Sequence, residues 1–279
     1  MADLVLRNGA VFTVDAARSW ATGVAVEDGR IVAVTGDDRL LHDWVGPRTE
    51  VISLQGGLLL PGFQDAHIHP PTAGLGLLRC NLHESDDRSS YLKTIVSYAE
   101  QHPDEAWILG EGWAMDAFPG GTPTRQDIDR IVPDRPVFLV NRDGHGAWVN
   151  SRALAEAGVD AATPDPPDGR IEREADGAPA GTLQEGAMRL VLRVAPADTV
   201  ADYVRALAVA QKYLLSLGIT AWQDADVTPQ TEQAYRSLTE RGELIARVVG
   251  ALWWERSAGE EQILELLHRR VLGSVGRFR

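Results

Sequence analysis

The sequence predicts an α/β fold preceded by a small β domain, and three observations lead to this prediction. Residues 3–57 contain short β-branched runs broken by turn pairs, and residues 75–197 mix helical and strand patterns. From about residue 198 strands and helices alternate with short links, which is typical of a parallel sheet. We therefore expect a β portion over residues 1–57 and an α/β domain over residues 58–279.

The composition is that of an acidic globular chain. Of 279 residues 44% are hydrophobic, and 40 acidic against 27 basic residues leave a net charge of −13. This charge argues against a nucleic-acid partner and against an anionic membrane surface. The N-terminus lacks a signal-peptide pattern, and no apolar run approaches the roughly 18 residues of a membrane span. A single cysteine, Cys80, excludes an intrachain disulfide and favours a cytoplasmic location.

The first part of the chain is predicted to form strands. The clearest signal is "GVAVEDGRIVAVTG", where two apolar runs flank Asp28-Gly29, a pair that favours a type I′ hairpin turn. Further short strands are expected in "DLVLRNGAVFTV" and "EVISLQGGLLLPG".

The middle of the chain mixes element types. Helices are expected at "SSYLKTIVSYAEQH", at "NSRALAEAGV" with Asn150 or Ser151 as N-cap, and from "TLQEGAMRLVLRV" onward. Buried strands are expected at "AWILGEGW" and "RPVFLVNRDG". The Pro-, Gly- and Asp-rich "TPDPPDGRIEREADGAPAGT" predicts a loop.

The last third of the chain has a regular rhythm. Helices are predicted at "TVADYVRALAVAQKYLLSLG", "TPQTEQAYRSLTERGE" and "GEEQILELLHRRVL". The strands between them are "ITAWQDADV" and "LIARVVGALWW".

Two histidines follow an apolar segment in "LLLPGFQDAHIHP". His67 and His69 stand at i and i+2, so in a strand both imidazoles project to one face, with Asp65 on the same side. Two such imidazoles can supply two ligands of a metal site, and neutral imidazole suits Zn, Fe or Ni. The alternative is a pair of half-exposed histidines that bind nothing.

The same segment resembles a known family. "LVLRNGAVFTVD", "VAVEDGRIVAV" and "VISLQGGLLLPGFQDAHIHP" resemble the opening of the metal-dependent amidohydrolase superfamily. In that family a β-sandwich portion leads through Pro-Gly-Phe-x-Asp-x-His-x-His into a (β/α)8 TIM barrel. "ILGEGW", "PVFLVNRDGHGAWVNSRAL", "TPDPPDGRIERE" and "GTLQEGAM" resemble amidohydrolase family 3, the branch of YtcJ-like and N-substituted formamide deformylase-like enzymes. The resemblance covers essentially the whole chain.

The resemblance implies a hydrolase that acts on carbon–nitrogen bonds of non-peptide N-substituted amides through metal-activated water. By this resemblance His67 and His69 bind a divalent metal, commonly zinc, and Asp65 supports the site without binding the metal. The family's other ligands are a lysine, often carbamylated, after barrel strand four, two histidines after strands five and six, and an aspartate after strand eight. That aspartate usually serves as the general base.

The implied barrel is incomplete. "GLLLPGFQDAH", "ITAWQDADV" and "LIARVVGALWW" would be barrel strands one, two and three, with an insertion subdomain at about residues 75–197. A (β/α)8 barrel takes about 250 residues, whereas roughly 100 remain outside the insertion. We therefore expect the N-terminal portion of a longer enzyme, with the general base beyond residue 279 and an unpaired edge on the β-sandwich portion. Catalytic zinc sites use three protein ligands and a water, so the chain alone should bind metal weakly and be inactive.

Three further residues are candidates for contact with the substrate. His145 lies between glycines in "NRDGHGAWVN", Trp113 ends "GEGW", and Glu185 stands in "GTLQEGA". The respective alternatives are a loop histidine, a core tryptophan and a carboxylate at the start of a helix. Asp224 and Asp226 end a predicted strand, where they either face the metal side or cap the next helix.

Two other functions compete with the amide hydrolase. A metal-dependent phosphoesterase can also open with His-x-His on a barrel strand, but the β portion ahead of the motif argues against it. A non-catalytic fragment or binding module is favoured by the missing ligands. The partner expected for the enzyme is a small amide substrate. Its identity, the number of metal ions and the oligomeric state, a homo-oligomer included, stay open.

Overall fold

The computed structural model describes residues 1–279. The chain divides into two compact units, Met1–Gln64 and Asp65–Arg279. None of the helices combines the length and the apolar character that crossing a lipid bilayer requires.

The N-terminal unit is built from two small sheets. Its strands are β1 (Leu4–Arg7), β2 (Ala10–Phe12), β3 (Trp20–Ala21), β4 (Gly23–Glu27), β5 (Arg30–Thr35), β6 (Glu50–Ser53) and β7 (Leu58–Leu59). One sheet has the order β5-β4-β1-β6 and the other β3-β2-β7. The core of the unit includes the buried residues Val5, Ala25 and Leu41.

The predicted hairpin is confirmed. β4 and β5 pair antiparallel, and the turn residues Asp28 and Gly29 have φ values of 50° and 70°. Positive φ at both positions is what a type I′ turn requires. β5 and β6 are the outer strands of their sheet and carry exposed apolar side chains, including Ile31 and Ile52. An open edge of this kind is the feature that we expected of an incomplete β layer.

The segment predicted as a single strand, "GLLLPGFQDAH", is divided in the structure. β7 pairs parallel with β2 in the N-terminal unit, and the strand that leads to the histidines begins only at Phe63. Pro61 stands between them and has no N–H to offer to a ladder, which accounts for the interruption.

The rest of the chain contains nine strands and eight α-helices, besides short 3-10 helices. The strands are β8 (Phe63–Ile68), β9 (Cys80–Asn81), β10 (Ile108–Trp113), β11 (Val137–Asn141), β12 (Gly146–Val149), β13 (Gly169–Arg173), β14 (Pro179–Glu185), β15 (Ile219–Val227) and β16 (Arg247–Leu252). The helices are α1 (Pro70–Leu78), α2 (Arg88–Gln101), α3 (Arg125–Asp129), α4 (Ser151–Ala157), α5 (Arg189–Leu192), α6 (Val200–Ser216), α7 (Pro229–Glu240) and α8 (Ile263–Gly273).

A six-stranded mixed sheet occupies the middle of the sequence. Its order is β13-β14-β12-β11-β10-β9, in which β9, β10 and β11 run parallel and the other neighbours antiparallel. Both faces are covered, since Ile108 and Leu139 belong to one apolar cluster and Phe138 and Leu183 to another. Burial on both faces explains why "AWILGEGW" and "RPVFLVNRDG" are so apolar.

Two predictions for this region are wrong in part. The first four residues of "TLQEGAMRLVLRV" belong to β14, and the predicted helix is limited to a 3-10 helix at Gly186–Met188 followed by α5. Part of the predicted loop forms β13, which pairs with β14. Both segments become strands because β14 is hydrogen-bonded on each side and because Ile171 and Leu183 fill the core, which are long-range effects.

A second sheet of this unit has three strands in the order β16-β15-β8. They include the strands assigned from sequence to barrel strands one, two and three, and no closed barrel is present. α6 and α7 both begin with capping boxes, at Thr199 and Thr228. Trp222, Tyr235 and Phe278 belong to the core behind the sheet.

Candidate metal centre

The two histidines of the motif lie side by side. β8 ends at Ile68, and His69 is the N-cap residue of α1, whose first residues are Pro70 and Pro71. The ring centroids of His67 and His69 are 5.3 Å apart and their planes are inclined by 88°. The predicted closeness of the two imidazoles is confirmed, and their role in binding a metal stays a prediction.

Asp65 contacts the backbone of the same segment. Its Oδ1 accepts a hydrogen bond of 3.0 Å from the backbone N–H of His67. This contact stiffens the strand directly before the first imidazole. It agrees with a supporting role for Asp65.

A buried carboxylate from the neighbouring strand faces the second imidazole. Asp224 of β15 is fully buried, and its Oδ1 lies 4.0 Å from Nδ1 of His69. Oδ2 accepts a hydrogen bond of 2.9 Å from the hydroxyl of Tyr235, and Oδ1 accepts one of 3.2 Å from the N–H of Asp226. Burial raises the pKa of Asp224 to about 6. The helix-capping alternative for the two aspartates is wrong, because Thr228 caps α7.

The donor set fits two positions of a divalent-metal site. Two neighbouring imidazoles, with ring centroids 5.3 Å apart, offer nitrogen ligands, and zinc bonds such nitrogens at about 2.0–2.1 Å. Oδ1 of Asp226, on the same strand end as Asp224, is buried without a hydrogen-bond partner, so negative charge there lacks compensation. No group of three or more metal-ligating side chains converges in the structure. These residues therefore supply a partial site.

A second pair of predicted residues is brought together at the six-stranded sheet. Nδ1 of His145 lies 3.1 Å from Oε1 of Glu185, and the backbone N–H of Glu185 donates to the carbonyl of His145 at 2.9 Å. Both side chains are more than half exposed, at 67% and 58%. The carboxylate can therefore orient the imidazole while the other ring nitrogen remains accessible.

Glu185 has an unusual backbone conformation. It is the last residue of β14 and also the N-cap residue of a short 3-10 helix, Gly186–Met188, and its φ and ψ are 50° and −125°. A non-glycine residue with positive φ is strained, and such strain concentrates at functional sites. The alternative position at the start of a helix is therefore confirmed, although the side chain of Glu185 makes no cap hydrogen bond.

Trp113 lies in the core. It is fully buried, and its indole N–H donates to the carbonyl of Leu139 at 2.8 Å. Its ring packs against Phe118 and Trp148 with centroids 5.8 Å and 6.4 Å away. Core packing accounts for this position, and contact with a substrate stays a prediction.

The sequence analysis did not identify one further pair, His83 and Glu111. Nε2 of His83 lies 3.6 Å from Oε1 of Glu111, and burial raises the pKa of that carboxyl. Both residues lie at the carboxyl ends of the parallel strands β9 and β10, where polar groups of neighbouring strands meet. That topological rule is the signal that could have found them.

Comparison with known proteins places the chain in a family. Residues 50–271 match the family pattern described as "Amidohydrolase family". Among curated proteins, the chain is 36% identical to the protein LONG AFTER FAR-RED 3 of Arabidopsis thaliana, over 79% of this chain and 38% of that protein. It is 34% identical to the putative amidohydrolase YtcJ of Bacillus subtilis, over 80% and 42%. It is 32% identical to the N-substituted formamide deformylase of Arthrobacter pascens, over 88% and 46%.

Solved structures agree on the fold. Uncharacterized metal-dependent hydrolases from Pyrococcus horikoshii and Pyrococcus furiosus superpose with TM-scores of 0.67 and 0.68, at 22% and 25% identity. The match covers 99% of this chain but only 52% and 54% of theirs. The chain thus spans about half the length of these proteins and of the curated relatives.

Proposed function

The chain belongs to the amidohydrolase family, and from this premise we propose that the protein is a metal-dependent hydrolase of carbon–nitrogen bonds in N-substituted amides. The proposed substrates are small formamide-like molecules. The observation that supports this most directly is the pair of adjacent imidazoles. His67 lies within β8, and His69 directly follows that strand. Two relatives named as an amidohydrolase and as an N-substituted formamide deformylase support the substrate class.

His67 and His69 would hold the metal, for which zinc is the proposed ion. When bound, a divalent cation activates water and polarises the amide carbonyl. The solved neighbours named as metal-dependent hydrolases support a divalent metal. We propose the remaining ligands and the base to come from a completed (β/α)8 barrel, of which β8, β15 and β16 are three strands.

The exposed His145 and Glu185 are proposed to contact the substrate. With Nδ1 facing Oε1 of Glu185, the imidazole of His145 is held in one orientation, and Nε2 is left to bond an amide group. Trp113, buried in the core below, would act on the substrate only by supporting this sheet. Because the chain has one cysteine and needs no disulfide, we propose that the enzyme works in the cytoplasm.

A non-catalytic role is the second candidate. It is favoured by the absence of a third metal ligand next to the two histidines. A binding module that retains the family's opening strands would keep the surface around His145 and Glu185 without turning a substrate over.

The test joins residues 1–279 to the part of Bacillus subtilis YtcJ that follows its matched segment. We expect this chimaera, loaded with zinc, to release formate from N-alkyl and N-aryl formamides, and we expect its His67→Ala, His69→Ala variant to lose that activity. A folded, zinc-binding chimaera that hydrolyses no formamide would contradict the substrate class. Activity that survives the double substitution would contradict the metal assignment.

A further inference from the structure

Asp224 is a buried carboxylate with few compensating groups. It is fully buried on β15, the strand next to β8 in the sheet. Its two hydrogen-bond donors, the hydroxyl of Tyr235 and the N–H of Asp226, are both neutral. A carboxylate taken out of water without a positive partner is costly, so its position calls for an explanation.

The carboxylate faces an imidazole of the proposed metal site. Oδ1 of Asp224 lies 4.0 Å from Nδ1 of His69, so the contact joins two adjacent strands. At this distance the interaction is electrostatic rather than a formed hydrogen bond. The ring nitrogen that faces Asp224 is Nδ1, which leaves Nε2 for a ligand.

A chain of buried aromatic groups holds the carboxylate in place. The indole N–H of Trp222 donates to the hydroxyl of Tyr235 at 3.2 Å, and that hydroxyl donates to Asp224. Tyr235 is fully buried and stacks on Phe278 with ring centroids 4.7 Å apart. Residues from β15, α7 and the end of the chain thus fix the direction in which the carboxylate points.

We propose that Asp224 is a positioning residue for His69, selecting the tautomer with the proton on Nδ1 and so presenting Nε2 to the metal. This inference rests on the proposed metal role of His67 and His69. Metal-binding histidines commonly donate their other N–H to a carboxylate, and loss of that partner typically weakens metal binding by about 10–100-fold. Trp222 and Tyr235 act one step further back, by holding Asp224.

The first test is metal-free and observes the tautomer directly. The 279-residue chain is labelled with ¹⁵N on histidine and measured by NMR at a pH where the imidazoles are neutral. The His69 signal is assigned with His69→Ala. We expect His69 of the parent to be mainly protonated on Nδ1, and His69 of Asp224→Asn to shift toward protonation on Nε2. His67 is the internal reference and should not change.

The matched control is Glu243→Gln, which removes one exposed carboxylate from the same unit. It should leave the His69 spectrum as in the parent. If His69 of the parent chain is protonated on Nε2, the proposal is overturned. This measurement needs no variant, so it decides the proposal even if Asp224→Asn does not fold. A folded Asp224→Asn chain with an unchanged His69 tautomer would overturn it as well.

The second test measures zinc affinity by competition with a chromophoric chelator. We expect Asp224→Asn to bind zinc about 10–100-fold more weakly than the parent, and Tyr235→Phe to lie between them. If Asp224→Asn binds zinc as tightly as the parent while the His67→Ala, His69→Ala variant loses zinc binding, the positioning role alone is contradicted. If the parent and that double variant bind zinc equally, the proposed metal site is contradicted. The tautomer measurement then still decides the positioning role.

Discussion

Nδ1 of His145 lies 3.1 Å from Oε1 of Glu185, although the two residues belong to different strands. His145 directly precedes β12, and Glu185 is the last residue of β14. β12 and β14 are antiparallel neighbours, so the end of one strand lies beside the start of the other. The pair is mutually anchored, since the backbone N–H of Glu185 donates to the carbonyl of His145. A contact between two exposed polar side chains of this kind contributes little to stability, about 0–1 kcal/mol. Its interest is therefore functional, and the strained backbone of Glu185 supports that view.

The strain at Glu185 should be measurable by substitution. We expect Glu185→Gly to be more stable than Glu185→Ala by about 1 kcal/mol, because glycine accepts positive φ and alanine does not. Both variants lose the contact with His145, so their difference isolates the backbone. Urea unfolding followed by fluorescence provides the comparison. If the alanine variant proved as stable as the glycine variant, the backbone would be unstrained.

Trp113 and Trp253 provide a matched pair of tryptophans. We expect Trp113→Phe to lower the free energy of unfolding by about 2 kcal/mol, since it leaves a cavity and removes the buried hydrogen bond to Leu139. Trp253 is 57% exposed, and Trp253→Phe should change stability by less than about 0.5 kcal/mol. Denaturant titration of both variants gives the answer. A neutral Trp113→Phe would argue that the residue is kept for a purpose other than packing.

Cys80 should be unreactive in the folded chain. Burial raises the pKa of its thiol to about 12, so the nucleophilic thiolate is scarce at pH 8–9 in the folded state, whereas an unfolded chain has the ordinary pKa of about 8.5. We expect slow iodoacetamide labelling of the native protein and fast labelling in urea, with Cys80→Ala as the blank. The folded form holds this proton more tightly, so its contribution to stability is complete below about pH 8.5 and is lost as the pH rises toward 12. Equal labelling rates in the two states would show that the thiol is accessible.

The chain by itself should not hydrolyse N-substituted formamides. It presents two imidazoles for a metal and no third ligand converging on them, whereas catalytic zinc sites use three protein ligands and a water. We expect formate release with added zinc to equal that of the His67→Ala, His69→Ala variant. Zinc-dependent turnover that the double variant loses would reveal a working site within these residues.

Local chemistry was enough to predict several features of this protein. The Asp28-Gly29 turn, the Asn150 cap of α4 and the placement of the two imidazoles depend on backbone conformations that neighbouring residues set. The order of helix and strand after residue 198 also followed from periodicity, because each element there buries one side of a regular pattern. The resemblance of the sequence motifs to the amidohydrolase family could likewise be recognised from the residues alone.

Other features depended on partners that are distant in the sequence. Residues of "TLQEGAM" became a strand because β12 and β13 pair with it on both sides, which outweighs local helical preference. Trp113 is buried in the core, and Asp224 faces His69 from the neighbouring strand. Both placements depend on the order of the strands, because that order decides which side chains face each other. The pairing of His145 with Glu185 arose in the same way, since antiparallel pairing sets side by side two residues that no local pattern connects.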